Sequence, residues 1–238
     1  MSTFVMVHGG GHGGWCWKPT AQLLRRRGHE VHTPTLTGFG ERCHLDVSQV
    51  TFETFVEDIA NVLYFEDLTD VILVGHSMGG CIIPRVAQRV PDRIRRVIWL
   101  AAVVNVDGES LLQAVPQNEW TARAVTLGED GTAHTDEELI LDANIHDGTP
   151  EQKQFVREYQ RPYPPHALVE PGRLSEFLAL GIPTGYILTL DDRTILPEVQ
   201  RKFPGRLSGC QYAEVPGGHD CMITQPEAVA DTLEAMGS

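Results

Sequence analysis

Basic residues are scarce in this chain: 19 Lys and Arg stand against 32 Asp and Glu, a formal charge of −13 over 238 residues. The two basic clusters, Arg25-Arg26-Arg27 and Arg93/Arg95/Arg96, read as solvated helix ends, so neither nucleic acid nor an anionic membrane is an expected partner. Cysteine is also sparse. Cys16, Cys43, Cys81, Cys210 and Cys221 are odd in number, scattered and never spaced C-x-x-C, which leaves reduced thiols as the plain reading. No apolar run approaches a membrane span of about 20 residues. Met1 leads into strand-like residues 4–7 with no charged and apolar leader, so a cytoplasmic protein is expected. There are no internal repeats, no low-complexity segments and no G-x-x-x-x-G-K-[ST] phosphate loop. What is present is 42% apolar content, enough for one sizeable core. Composition leaves a homodimer open.

Strand-like and helix-like segments alternate, which favours an α/β domain with a mostly parallel central sheet and helices on both faces. Strands are expected at residues 4–7, 29–33, 71–74, 96–104, 184–190 and 211–215. Helices are expected at 18–27, ending at Gly28, at 51–65, at 78–89 and at 226–236. The alternation lapses between Asp107 and Leu180, where Gln, Glu and Pro interrupt short amphipathic pieces. That stretch is too long for a plain loop. Residues 107–182 are therefore expected to be a helical insertion, a lid over the active face, between core segments 1–106 and 183–238.

Behind the apolar run Val71-Ile72-Leu73-Val74 stands Gly75-His76-Ser77-Met78-Gly79, a match to G-x-S-x-G. Its glycines allow a strand-to-helix turn too tight for a β-carbon, and the turn lifts the serine hydroxyl above the sheet. The helix behind it points free N–H groups at developing negative charge. A serine nucleophile needs a base, and His219 in Gly217-Gly218-His219-Asp220 follows the last strand, where an imidazole can take the proton. An acid must fix that imidazole. Asp191 and Asp192 both follow the preceding strand, and Asp107 is a further option. The second oxyanion donor is expected from the loop His8-Gly9-Gly10-Gly11-His12-Gly13-Gly14, which assigns the Gly10 and Met78 N–H groups to the oxyanion hole. That loop also satisfies G-x-G-x-x-G at Gly9, Gly11 and Gly14, but Pro19 delays the next helix, so a dinucleotide would miss its helix N-terminus. His8 and His12 are not expected to be metal ligands and are read as holding the loop's shape.

With these segments in order, nearly the whole chain resembles the α/β-hydrolase superfamily, in the branch of plant methyl esterases, hydroxynitrile lyases and small bacterial esterases. Val7 to Trp17 looks like that branch's opening motif, and Val71 to Gly80 like its nucleophile segment. Thr35 to Arg42, and Gly218-His219-Asp220 with Met222 and Pro226, resemble the bacterial members. Asp192-Arg193-Thr194-Ile195-Leu196-Pro197 aligns with the branch's acid segment without a gap, which selects Asp192. The resemblance implies a cofactor-free, metal-free hydrolase with a helical cap over a mainly apolar pocket. Lyases of the branch carry threonine where Gly9 stands and lysine where Asp220 stands, so lyase chemistry is disfavoured.

The triad Ser77, Asp192, His219 in that chain order implies a serine esterase that forms an acyl-enzyme on small to medium apolar or aromatic esters. Gly9, Trp120, Phe155 and Tyr159 are taken as substrate-binding, and Tyr163, Leu174, Phe177 and Leu178 as further candidates that serve equally as cap packing. Two alternatives share the fold: a lyase or lactone-forming or lactone-opening enzyme using the same triad, and a low-turnover ligand-binding receptor.

Overall fold

The structure, a computed structural model, describes residues 1–116, 125–129 and 131–238. In chain order the first half holds β1 (Thr3–Val7), α1 (Lys18–Arg26), β2 (Glu30–His32), α2 (Phe52–Phe65), β3 (Val71–His76), α3 (Gly79–Arg89) and β4 (Ile94–Leu100). Next come α4 (Leu111–Ala114), β5 (Val125–Leu127), β6 (Ala133–Thr135), α5 (Glu137–Ala143), α6 (Pro150–Tyr159), α7 (His166–Val169) and α8 (Leu174–Leu178). The chain closes with β7 (Thr184–Thr189), α9 (Pro197–Gln200), β8 (Gln211–Val215), α10 (Cys221–Thr224) and α11 (Pro226–Gly237).

Six strands form one sheet in the order β2-β1-β3-β4-β7-β8, every pair parallel. Its register sets Val7, Gly75, Trp99, Tyr186 and Tyr212 side by side, so the chain leaves all five longer strands along one edge. Ligand sites of open α/β sheets lie at that carboxyl edge. Side chains alternate between two cores. Val5, Leu73, Trp99 and Leu188 face the side covered by α2 and α3, while Phe4, Met6, Ile72 and Ile187 face the side of α1 and α11. Every residue of β3 is buried, which explains its unbroken apolar run.

Local signals fix several boundaries. Thr51 caps α2 with a reciprocal box: its hydroxyl accepts from Thr54 N–H at 3.3 Å, and its own N–H donates to Thr54 Oγ1 at 3.0 Å. Gly28 follows α1 at φ 89, a backbone conformation that disfavours any side chain. One boundary differs from expectation. A strand is expected over 96–104, yet β4 runs from Ile94 only to Leu100 and Ala101 turns at φ 45. Residues 101–104 stay buried because they pack against the turn after β3: Val103 N–H reaches the Ser77 carbonyl at 3.3 Å. Hydrophobicity therefore continues where the strand does not. Residues 107–182 also hold more than helices, since β5 and β6 pair antiparallel and Tyr163 bridges to Ala133. No helix among the described residues is long and apolar enough to cross a membrane.

Replacing Thr51 with alanine removes the bond that its hydroxyl accepts from Thr54 N–H, while the backbone N–H can still donate to Thr54 Oγ1, and is expected to cost about 1 kcal/mol of stability. Urea unfolding reads this as a lower midpoint at unchanged slope.

Candidate active site

Ser77 sits between β3 and α3 at φ 53, in the left-handed region that a serine enters only under constraint. The neighbouring glycines supply the constraint. A β-carbon on Gly75 would lie 2.8 Å from the Gly79 carbonyl oxygen, one on Gly79 2.8 Å from that of Val7, and one on Gly80 2.5 Å from that of Val103. Gly80 N–H donates to the Ser77 carbonyl at 3.0 Å, which locks the turn.

The histidine and acid come from loops after the last two strands. His219 is buried, and its Nδ1 lies 2.7 Å from Asp192 Oδ2. Asp192 is itself held by four further donors. Oδ1 accepts Thr194 N–H at 2.7 Å and Ile195 N–H at 2.8 Å, and Oδ2 accepts Gln200 Nε2 at 2.7 Å and Thr189 Oγ1 at 3.1 Å. With its carboxylate acting only as acceptor, the imidazole proton is held on Nδ1 and Nε2 is left to act as a base. The rival carboxylates are elsewhere. Asp191 is exposed, and Asp107 binds Ser175 through its N–H at 2.9 Å and its hydroxyl; those bonds hold its exposed carboxyl below the usual range.

Two histidines shape the glycine loop. Leu36 N–H donates to His8 Nε2 at 3.1 Å, so Nδ1 carries the proton and donates to the Gly9 carbonyl at 2.8 Å. That carbonyl shares a peptide unit with the Gly10 N–H, whose direction is thereby fixed. Burial is the main cause of a His8 pKa lowered from 6.5 to about 3. His12 binds the next carbonyl, that of Gly10, at 2.8 Å. Among the described residues, no backbone acceptor meets the Gly10 or Met78 N–H. His76 stands between the loops, its ring 4.7 Å from that of His219 and 6.0 Å from that of His12. Its Nε2–H donates to the His219 carbonyl at 3.0 Å while Nδ1 is buried without a partner. Burial, then the neighbouring His219 and His12, push its pKa well below the usual value, so it remains a neutral prop.

Ser77, His219, Gly10 and Met78 line one cavity. Gly9 lies directly against the serine: a β-carbon there would be 2.8 Å from Ser77 Cβ and 3.3 Å from its Oγ. Residues 107–182 supply much of the wall, including Leu111, Thr135, Ile140, Asn144, Tyr163 and Leu168. Two expected lining residues are not there. Phe155 and Tyr159, on α6, pack instead on Trp15, with ring centroids 5.3 and 5.6 Å away, because the apolar stripe of that helix faces the α1 side of the core. Trp120 lies outside the described residues. Leu174 and Phe177 belong to the core, Phe177 edge-on to Trp99, and Leu178 packs against that core. Gln200 and Asn144 carry no signal in the sequence, being single polar residues whose importance comes from their partners. His76 was visible within the pentapeptide, but its role depends on the distant His219 turn.

Fold, strand-edge placement and a serine on a strained turn that shares one cavity with an acid-held histidine define an α/β hydrolase. A sequence profile of the alpha/beta hydrolase family matches residues 4–232, and the chain belongs to that family. It is 35% identical to a carbendazim hydrolyzing esterase from Nocardioides sp. (strain SG-4G), over the full length of both chains. The crystal structure of a pyrethroid hydrolase from Sphingobium faniae JZ-2 superposes with a TM-score of 0.88 at 25% identity, covering 99% of this chain and 97% of that one. An extracellular alpha/beta-hydrolase from a Paenibacillus species, described as sharing structural and functional homology with tobacco salicylic acid binding protein 2, gives a TM-score of 0.83 at 28% identity, covering 99% of both chains.

Folded His8 takes its proton only near pH 3, whereas an unfolded histidine does so near 6.5. Between those values the unfolded state binds more protons, so this contribution to stability is lost as pH falls through the window. Nitrogen-15 spectra at pH 5 are expected to show His8 as the neutral Nδ1–H tautomer, and urea midpoints to fall from pH 6.5 downward. A protonated His8 ring at pH 5 would contradict the assignment.

Proposed function

We propose that this α/β hydrolase cleaves neutral carboxylic esters of small to medium apolar or aromatic compounds through an acyl-enzyme on Ser77. The observation that carries the reading is that Ser77, on its positive-φ turn, and His219, held by Asp192 at 2.7 Å, line the same cavity. His219 Nε2 takes the Ser77 proton as Oγ attacks the ester carbonyl, and the imidazolium is stabilised by Asp192. The oxyanion is held by the Gly10 and Met78 N–H groups. Collapse of the tetrahedral intermediate breaks the bond to the alkoxy oxygen, which takes the proton from His219. Water then repeats the sequence on the acyl-serine, returning the free acid and Ser77.

The lining supports the substrate class. Among the described residues no Asp, Glu, Lys or Arg lines the cavity, and His12, which does, is already paired with Asp220, so a charged substituent would lose its hydration without gaining a free counter-ion. Residues 107–182 are assigned as the cap that selects the substrate. Relatives that hydrolyse carbendazim and pyrethroids agree with an esterase reading. Lyase chemistry has less support: a side chain at Gly9 would press on Ser77, and Asp220, where lyases have lysine, is tied to His12. The five free cysteines fit a reducing cytoplasm.

Ser77→Ala and His219→Ala are each expected to lower kcat about a million-fold, with the Ser77→Ala thermal midpoint near wild type, and Asp192→Asn about ten-thousand-fold. Fluorophosphonate should label wild type stoichiometrically and leave Ser77→Ala unlabelled. Near-wild-type turnover by Ser77→Ala would remove the mechanism. Across a panel of aryl esters, those with a carboxylate on the acyl chain should show at least about tenfold lower kcat/KM than neutral ones of equal size, the expected penalty for an unpaired buried charge.

A further inference from the structure

Both ring nitrogens of His12 face oxygen. Nδ1 lies 2.8 Å from the Gly10 carbonyl and Nε2 lies 3.1 Å from Asp220 Oδ2, with the two side chains only 2% and 0% exposed. A carbonyl can only accept, so Nδ1 carries a proton and donates to Gly10. Nε2 then shares a proton with the Asp220 carboxylate. Burial by itself would lower the His12 pKa, but the charge of Asp220 and its hydrogen bond outweigh burial and raise it. The ring stacks on Trp15, centroids 5.3 Å apart at 24°, which fixes its plane.

The pair joins two loops far apart in sequence. His12 lies two residues beyond Gly10, and Asp220 follows His219 directly. Gly10 has no side chain to hold its own backbone, yet both peptide units that meet at its Cα are fixed: His8 binds the carbonyl before it and His12 the carbonyl after it. The histidine turn is held on its other sides too. His76 donates to the His219 carbonyl at 3.0 Å, Asp220 N–H donates to the Asn144 carbonyl at 2.9 Å, and Gly218 N–H to Asp147 Oδ2 at 3.1 Å. Those bonds tie the turn to β3 and to residues 144–147, whereas the Asp220 side chain ties it to the oxyanion loop.

As packing, this is a costly arrangement. Asp220 Oδ1 is buried with no partner, and buried ion pairs can often be exchanged for apolar residues with no loss of stability. We propose that the His12–Asp220 pair is a positioning clasp that holds the Gly10 N–H and the His219 imidazole in register, so that both meet the same reacting carbonyl. The inference rests on the esterase reading above. It makes His12 and Asp220 positioning residues whose effect falls on the transition state, since register between oxyanion donor and base matters only as the carbonyl becomes tetrahedral.

The test uses the full chain and a neutral aryl ester. Asp220→Ser is too short to reach His12, and His12→Phe keeps a ring against Trp15 without its nitrogens. Each is expected to lower kcat at least about tenfold while KM stays within about threefold, the pattern of an interaction made in the transition state. The double variant should be no slower than the slower single, because the two residues act as one unit. Asp220→Asn, which keeps a hydrogen bond to His12, should recover most of the kcat lost in Asp220→Ser. Circular dichroism and thermal midpoints identify the folded variants, and either single variant decides the matter alone. Unchanged kcat in a folded single variant, losses that multiply in the double variant, or an effect on KM alone would overturn the clasp. Wild-type turnover and fluorophosphonate labelling run alongside. If wild type cleaves the ester and the variants match it, the clasp alone fails; if wild type cleaves none, the esterase reading fails and takes the clasp with it.

Discussion

A serine held at positive φ between a strand and a helix requires backbone to pass closer on several sides than any β-carbon allows. Gly75, Gly79 and Gly80 meet carbonyl oxygens of α3's first turn, of β1 and of the segment after β4 at distances only glycine tolerates. A non-glycine residue in this conformation costs on the order of 1–3 kcal/mol. The fully buried β3 supplies a rigid base against which that strain is held. Much else follows from the turn. The chain must leave β4 at Ala101 so that Val103 can reach the Ser77 carbonyl, and β1 must end where its last carbonyl lies against Gly79.

Around that turn, polar groups are satisfied outward in shells. Asp192 accepts from five donors and His8 uses both ring nitrogens, while His76 gives its one proton to the carbonyl of His219. The result is a cavity walled mostly by apolar side chains, with the uncharged polar groups of Thr135, Asn144 and Thr194 among them. Low polarity strengthens the few dipoles that remain, among them the Gly10 and Met78 N–H groups.

How much of this could be read from residues depends on whether the signal was local. The parallel sheet was legible from alternating apolar segments, and α2 from its apolar period, because each is specified within about fifteen residues. Ser77 and His219 were legible from glycine-bounded turns placed after strands. Asp192 needed more than pattern, since Asp191 beside it has the same chemistry: the family resemblance selected it, and the fold buries it while leaving Asp191 exposed. The cavity wall was largely illegible. A helical period marks an apolar face without naming what it covers, so Phe155 and Tyr159 on α6 suggested a pocket and instead cover Trp15. Asn144 and Gln200 gave no sign, and Asp220 stood out only as a departure from the lyases, because a polar residue's role lies in partners 50, 8 and 208 positions away.

The bonds from Asn144 and Asp147 to the histidine turn carry a consequence for how such a protein can change. The segment that walls the cavity also fastens the turn bearing the base, through Asp220 N–H and Gly218 N–H. Under the esterase reading proposed above, specificity and turnover would then be mechanically coupled, and the insertion would not be an interchangeable cassette. A foreign insertion that fitted a new compound but offered no acceptors at these two positions would release the histidine while admitting the substrate. New specificities are reached more readily by residues such as Leu111 or Leu168, which touch the cavity and carry no bond to the turn.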